Sequence, residues 1–570
     1  MAIDPISLCT GFKTYGSIIL AITALLLPLK TKHLRFFETS FNQIARQRSF
    51  SIFLVGLLAF IGNLLIVFNY SFPIPVVQDE FSYLLAADTF SQTQITNLAH
   101  PMWIHFETFY VLQQPTYMSI YPPGQGFILA IGQVLTGHPI VGVWLSVALM
   151  CSALCWMLQA WVPPRWALLG SLLVLLKIGL FSYWSQSFWG GAVSALGGCL
   201  VLGGFRYTLK KPSIKNSFLL GLGLLILANS RPYEGLLISL PAMFLLLFWL
   251  LRNNKFSFGI KLKKVFLPLA ISALFIIVIM GYYNFSITGK VLQMPYLLYQ
   301  ETYATIPNSL WSKPRLNITY NHEIFRDMYY KGYTNLYNNN VGISGFLDFT
   351  LSKLSILSIF FLGIPFSFFI SLLPLLIKDY WLRFSLLTLL LLLIGMLQIL
   401  YSFPHYAAPS LCLIYFLLLQ CMRKLYIWKR HSNPLGKLLV WSVPVYLILL
   451  AILPISLKLD PFLYHDRPSW DVPRTVFPPW TKLREKLVSQ LNQTEKHLIL
   501  VSYSPQHDSE VQWVNNEANL DKAKVVWAHS MGDEKDCELI NYFGDRKVWF
   551  LYVKNTINGS ITPYSTNSCD

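Results

Sequence analysis

The chain has 570 residues, of which 54% are hydrophobic and only 12% charged, with a formal net charge of +17. Ordinary soluble domains are about a quarter charged, so this composition excludes a soluble globular protein and points to a polytopic membrane protein. The positive charge does not imply nucleic acid, because the basic residues lie in short stretches between apolar runs, as positive-inside sorting places them.

A spanning helix needs about 20 apolar residues. In chain order the candidates are 14–29, 50–69, 138–161, 166–181, 190–205, 216–229, 235–251, 265–283, 355–377, 384–401, 407–422 and 438–456, about 11 or 12 helices. The first lacks a small-residue cleavage site and precedes a basic loop, so it reads as a membrane segment rather than a removable signal. Lys30 to Arg48, RYTLKKPSIK from Arg206, RNNKFSFGIKLKK from Arg252 and RKLYIWKRHSNPLGK from Arg423 are strongly basic, and so are expected on the cytoplasmic side. They alternate with loops poor in Lys and Arg, above all Ser71 to Gln125, which has none. This topology puts two long loops, 71–125 and 284–348, and the whole C-terminal part outside the cytoplasm. The membrane domain is 1–458.

A linker rich in Pro and aromatic residues, 459–481, leads to a unit of different composition, 482–570. There HLILVSYS, KVVWAHS and KVWFLYV read as buried strands, separated by polar segments such as EKDCELINYF that suit helices. The expectation is a small extracytoplasmic α/β domain. Its Cys537 and Cys569 are free to pair in an oxidising compartment. Cys151, Cys155, Cys199, Cys412 and Cys421 sit in apolar segments and read as packing residues. No internal repeat is evident.

Chemistry concentrates in the first basic-free loop. Asp79 and Glu80 are adjacent where the chain leaves the membrane, and repulsion together with desolvation there would raise at least one pKa. Such a carboxylate suits general base work near neutral pH; it equally suits the first turn of a helix. The same loop crowds His100, Trp103, His105, Glu107, Tyr117, Tyr121 and Gln125 together. Uncommitted connections are usually much shorter, so a binding surface is the better reading, and aromatic faces beside carboxylates and amides suit carbohydrate. His105 and Glu107 form an HxE pair common by chance, and no metal or other cofactor is expected.

The order of these features resembles the GT-C membrane glycosyltransferases, especially the bacterial branch related to protein O-mannosyltransferases and the aminoarabinose and galacturonic acid transferases of lipid A. The resemblance rests on Asp79–Glu80 early in the first outer loop, YPPGQ at 121–125, YWSQSFWGGAVSALGG at 183–198, NSRPYEG at 229–235 and HYAAP at 405–409, with VVWAHSMG at 525–532 and YFGDRKVWFL at 542–551 in the tail. It covers most of the membrane part. It implies inverting transfer of a sugar from a polyprenyl-phosphate donor to an acceptor hydroxyl on a lipid, glycan or protein at the outer face of the cell membrane. Asp79 would be the base and Glu80 a neighbour binding acceptor or sugar hydroxyls. The leaving phosphate would need cations: Arg231, unless it is tied up by Glu234, and Lys177, unless it snorkels to the interface. His405 and Tyr406 would face the same cavity and contact phosphate or sugar; His105, Glu107, Tyr121, Gln125 and Glu234 would bind substrate. The glycines at 190, 191, 197 and 198 would let helices approach closely. Two rival readings are a transporter or flippase of a lipid or polysaccharide precursor, and an inactive relative that binds glycans through its tail.

Overall fold

The computed structural model describes all residues except 1–4, 27–30, 71, 307–308, 316, 402, 430–433, 460–478, 555–558, 565–568 and 570, so most of the expected linker lies outside the described residues. Nine described helices are long and apolar enough to cross a membrane: Arg48–Phe68, Ile140–Trp161, Ala192–Lys210, Pro232–Arg252, Phe258–Thr288, Ile343–Phe361, Tyr380–Leu397, Ala408–Tyr426 and Leu435–Ser456. Each corresponds to one of the segments read from hydropathy. The polytopic helical class therefore stands.

The differences have local causes. Segment 166–181 is interrupted: helix Pro164–Val174 passes into a π-turn, Leu175–Gly179, and stops. The Asn63 side chain donates to Gly179 O at 2.8 Å and so takes one of the carbonyls freed there. Segment 216–229 is a helix of only 15 residues, Ile214–Ala228. Segment 355–377 begins earlier, at Ile343, and ends at Phe361, because Gly363 turns the chain at a φ of 64°. The expected basic loop after Lys30 is a helix, Thr31–Arg46, whose apolar residues Leu34, Phe37, Phe41 and Ile44 recur at helical spacing. Hydropathy averaging hides such a period. On this helix Phe41 packs edge-on against Trp441 at 5.4 Å.

The bundle is tightest where small residues allow it. A Cβ on Gly198 would lie 2.0 Å from Pro409 O, and one on Gly197 would lie 2.9 Å from Leu227. These two glycines are the close-approach positions expected from sequence. Gly190 and Gly191 differ: they sit in a turn with φ of 95° and 130° rather than at a helix contact.

The loop 71–125 is ordered by its own elements. Helix Gln78–Ser91 is followed by three short strands, β1 (Asn97–Leu98), β2 (Val111–Leu112) and β3 (Thr116–Ser119), antiparallel in the order β1-β3-β2. The tail forms β4 (Lys496–Tyr503), β5 (Val525–His529), β6 (Arg546–Val553) and β7 (Gly559–Pro563) in the order β5-β4-β6-β7. The first three are mutually parallel and match the runs read as strands; β7, antiparallel at the edge, carries no alternating apolar signal. Helix Asp533–Tyr542 is the crossover between β5 and β6 and carries Cys537, which is disulfide-bonded to Cys569.

The tail is not a separate bead. Leu85, Phe106, Val111 and Tyr117 of the loop 71–125 share one buried apolar cluster with Leu498, Leu500, Val526, Leu539 and Phe543 of the tail. Burying such side chains stabilises by about 1.5–3 kcal/mol each, which favours a docked tail.

Candidate active site

Helix Gln78–Ser91 starts where Pro73 and Pro75 prevent the preceding helix from continuing. Its third residue, Glu80, turns back to accept from Val77 N at 3.1 Å and Val76 N at 2.6 Å. Its other oxygen accepts from Phe188 N at 2.8 Å. Three backbone donors thus hold a fully buried carboxylate. Burial, with the Asp79 charge beside it, raises the Glu80 pKa to about 7. Through these backbone bonds Glu80 ties the start of this helix to the turn at Phe188.

What it fixes is the turn 187–191. Gln125 donates from the opposite side to Phe188 O at 2.9 Å, so both polar atoms of the Phe188 main chain are held. The next residue, Trp189, is thereby aimed at Asp79, to which its indole N–H donates. Gly191 completes the turn with a positive φ and would place a Cβ 2.4 Å from the Trp184 ring. Gly191→Ala is therefore expected to cost more than about 2 kcal/mol, from backbone strain and overpacking together. Thermal unfolding of the detergent-solubilised protein checks this.

Asp79 is half-buried and accepts from the Tyr121 hydroxyl as well as from Trp189. Burial raises its pKa, against the pull of those donors and of Arg231. Tyr121 is itself held by a stack on Tyr83, with ring centroids 4.4 Å apart, and Tyr283 donates to its backbone O at 2.8 Å. A cation that faces Asp79 electrostatically is Arg231, the residue before helix Pro232–Arg252. The Arg231 guanidinium lies over the Tyr406 ring at 4.3 Å. No ion pair within 4.0 Å joins Arg231 to Asp79 or to Glu234 among the described residues. Glu234 is buried in the first turn of that helix. Lys177 is buried in the π-turn 175–179, within the bundle.

His405 is buried between rings, stacked near Phe403 at 5.6 Å and tilted on Trp189 at 4.8 Å. Its Nδ1 and backbone N both meet the Tyr183 hydroxyl, at 3.0 Å each. Burial and the Arg231 charge hold its pKa well below the usual value, so it is neutral at pH 7. It wedges Trp189 and Tyr406 apart and carries no charge for a phosphate.

His105 and Glu107 are brought elsewhere, to the joint with the tail and the second outer segment. His105 Nδ1 meets His529 O at 2.9 Å, while Glu107 accepts from Tyr303 at 2.7 Å and Asn321 at 2.9 Å, with His322 3.4 Å away. Among the described residues no group of three or more His, Cys, Asp or Glu could hold a metal ion.

Sequence reasoning missed Trp189 and the tyrosines that line the Asp79 side. Tyr110 and Tyr333 are joined hydroxyl to hydroxyl at 2.7 Å, and Tyr333 packs on Tyr401 at 5.2 Å. Trp189 lies inside the FWGG run, whose glycines are its stronger sequence signal. The Tyr-rich stretches PYLLYQETYATIP and DMYYKGYTNLY were the available signal for the second group.

No protein-family model and no curated protein matches the sequence. Among solved structures, the fold is similar to ArnT from Cupriavidus metallidurans in the apo state, at 12% identity over 87% of this chain and 92% of that one, with a TM-score of 0.47. It is also similar to the Archaeoglobus fulgidus oligosaccharyltransferase tethered to an acceptor peptide, at 13% identity over 86% of this chain, with a TM-score of 0.41. The chain spans 62% of that enzyme's length. A third similarity is to the same organism's AglB in complex with an inhibitory peptide and a dolichol-phosphate, at 12% identity over 88% and 69% of the two chains and a TM-score of 0.35. All of these are GT-C glycosyltransferases, the family whose motifs the sequence resembles.

Proposed function

We propose that this protein is a membrane glycosyltransferase that moves a sugar from a polyprenyl-phosphate donor to an acceptor hydroxyl, on a lipid, glycan or protein, at the outer face of the cell membrane. One observation carries the reading. Asp79 and Arg231 sense each other electrostatically without closing an ion pair, and each is presented by an aromatic frame. A carboxylate and a guanidinium held apart in this way can serve the two ends of a displacement.

The acceptor O–H gives its proton to Asp79 as its oxygen attacks the anomeric carbon. The bond from that carbon to the phosphate oxygen breaks, and the phosphate leaves with the electron pair, held by Arg231. A planar guanidinium can take two phosphate oxygens at once, and its place at the start of a 21-residue helix adds the favourable end of the helix dipole. A single displacement inverts the anomeric centre. Glu80 and Gln125 position Trp189, which with Tyr121 orients the base. Glu234 tempers Arg231 from the helix side. Lys177, buried in the turn 175–179, is the second cation this reading offers the lipid phosphate.

Two observations support an outer location. The loop carrying Asp79 has no Lys or Arg from Ser71 to Gln125. The tail docked on it contains the Cys537–Cys569 disulfide, and disulfides persist in oxidising compartments.

Transfer from a panel of radiolabelled polyprenyl-phosphate sugars by the purified full chain tests the proposal. Turnover with at least one donor is expected. No turnover with any, in protein shown to be folded, would favour a transporter. The acid limb of kcat/KM carries a second expectation. Asp79 must be deprotonated to act and its pKa is raised from 3.8, so activity rises with pH through a midpoint above that of an ordinary aspartate. A pH series from 4 to 8 on the active donor checks the sign.

A further inference from the structure

We propose that the tail strip Gln512–Ala518 is a positioning clamp that sets the pose of the helix carrying Asp79. The inference rests on the catalytic reading of Asp79 and assigns the tail domain a part in the same reaction, in place of a separate glycan-binding role.

The strip runs along that helix and holds it at both ends. At the start, both polar atoms of the buried Gln78 amide are used: its Nε2 donates to Gln512 O at 3.0 Å, and its Oε1 accepts from Asn515 Nδ2 at 3.2 Å. Gln78 is the residue immediately before the base. Three turns later Asp88 Oδ2 accepts from Ala518 N at 2.8 Å. Ten residues of helix separate those anchors, about 15 Å at 1.5 Å per residue. Between them Thr108 donates to Asn515 Oδ1 at 3.2 Å, and the Tyr117 hydroxyl to the carbonyls of Asn516 and Glu517 at 3.3 Å each.

The strip has no secondary structure of its own, so its stiffness is borrowed from the tail. Asn516 exchanges two hydrogen bonds with the backbone of Trp527 on β5, both at 2.8 Å. Arg484 of helix Pro479–Gln490 donates to Asn515 O at 2.7 Å. Trp513 N donates to the Tyr503 hydroxyl at 2.9 Å, at the end of β4. A strip anchored to a sheet on one side and to a short helix on the other transmits the rigidity of the sheet to the helix. Isolated helices of its 14 residues are marginal in water, so its pose rests on what packs and bonds against it, the strip included.

The clamp matters because proton transfer is sensitive to placement: a displacement of about 1 Å can cost about a hundredfold in rate. A clamp also predicts which kinetic constant changes. Loosening it blurs the position of the base while leaving the cation and the donor's surroundings alone, so kcat falls and KM holds.

The test uses the full chain with Gln78→Ala, Asn515→Ala and the double variant. Gln78→Ala removes both bonds of that amide and leaves every bond internal to the tail intact, whereas Asn515→Ala removes the bonds to Gln78 Oε1 and from Thr108, together with its own to Gln512 O. Hydrogen exchange, which needs no substrate, is read at the amides of 78–91 and at β4 and β6. The expected result is at least fivefold faster exchange in 78–91 with β4 and β6 still protected. On the donor found active in the transfer panel, kcat is expected to fall about tenfold to a hundredfold with KM within twofold, and the double variant to be no worse than the poorer single one. Unchanged exchange in 78–91, or kcat within twofold of wild type while exchange rises, would overturn the clamp. If Asp79→Asn kept full turnover, the catalytic reading would fall, and the exchange data would still decide whether the tail holds the helix.

Discussion

Asp79→Asn lowers kcat by roughly 10²- to 10⁴-fold, the usual contribution of a positioned general base, while the protein remains folded. The substitution is nearly isosteric. The amide oxygen still accepts from the Tyr121 hydroxyl, so the aromatic frame keeps that partner. What disappears is the capacity to take a proton. The stability change has a predictable sign. The folded pKa of Asp79 is raised above 3.8, so its ionised form is penalised by folding at neutral pH. Removing the charge is therefore neutral or stabilising, apart from the lost attraction to Arg231. A variant that is dead and at least as stable as the parent separates a catalytic carboxylate from a structural one, by single-turnover assay beside thermal unfolding. Full activity in the variant would end the assignment of the base. Glu80 behaves in the opposite way: Glu80→Gln exposes the site to loss of order, because one of its oxygens becomes an NH₂ that cannot accept from Phe188 N or from the amides of Val76 and Val77.

The two adjacent carboxylates show how much of this was legible in the sequence and where reading stopped. Their place beyond the membrane edge, in a loop without Lys or Arg, was plain from composition. Their division of labour was not, because it depends on where neighbouring backbone amides lie. Glu80 faces the turn at Phe188, more than a hundred residues away, and no local pattern encodes that approach. His105 and Glu107 illustrate the same limit in reverse. They looked like site residues because they were polar and close in sequence to others, yet their partners are in the tail and the second outer segment. The spans and the three parallel strands of the tail were readable because each reports a one-dimensional average or alternation. The helix Thr31–Arg46 was not, since its amphipathic period averages to a polar stretch. The docking of the tail was not legible either, since the apolar residues that join it to the loop 71–125 are far apart in sequence.

Arg231→Gln is expected to reduce turnover by about 10²- to 10³-fold, the scale seen when one preorganised donor to a developing negative charge is removed. The argument begins from what holds the guanidinium. It lies over Tyr406, no ion pair within 4.0 Å holds it among the described residues, and the buried His405 beside Tyr406 is neutral. The cationic charge is thus available to an incoming anion. Arg231→Lys should recover only part of the loss, because an ammonium neither stacks on the ring nor bonds two phosphate oxygens in a plane. A purely structural role for Arg231 would not reproduce the second effect. Its charge pulls the Asp79 pKa down, so in Arg231→Gln that pKa rises further and the acid limb of kcat/KM moves to higher pH. In Arg231→Lys the charge remains and the limb should stay near its wild-type position. Rate and pH profile measured on the three proteins with one polyprenyl-phosphate sugar separate the outcomes. A rate loss with the acid limb shifted only in Arg231→Gln puts the cation between the leaving phosphate and the base. A wild-type rate in Arg231→Gln would instead leave the phosphate to another cation, and the pairing of Asp79 with Arg231 would have no part in the reaction.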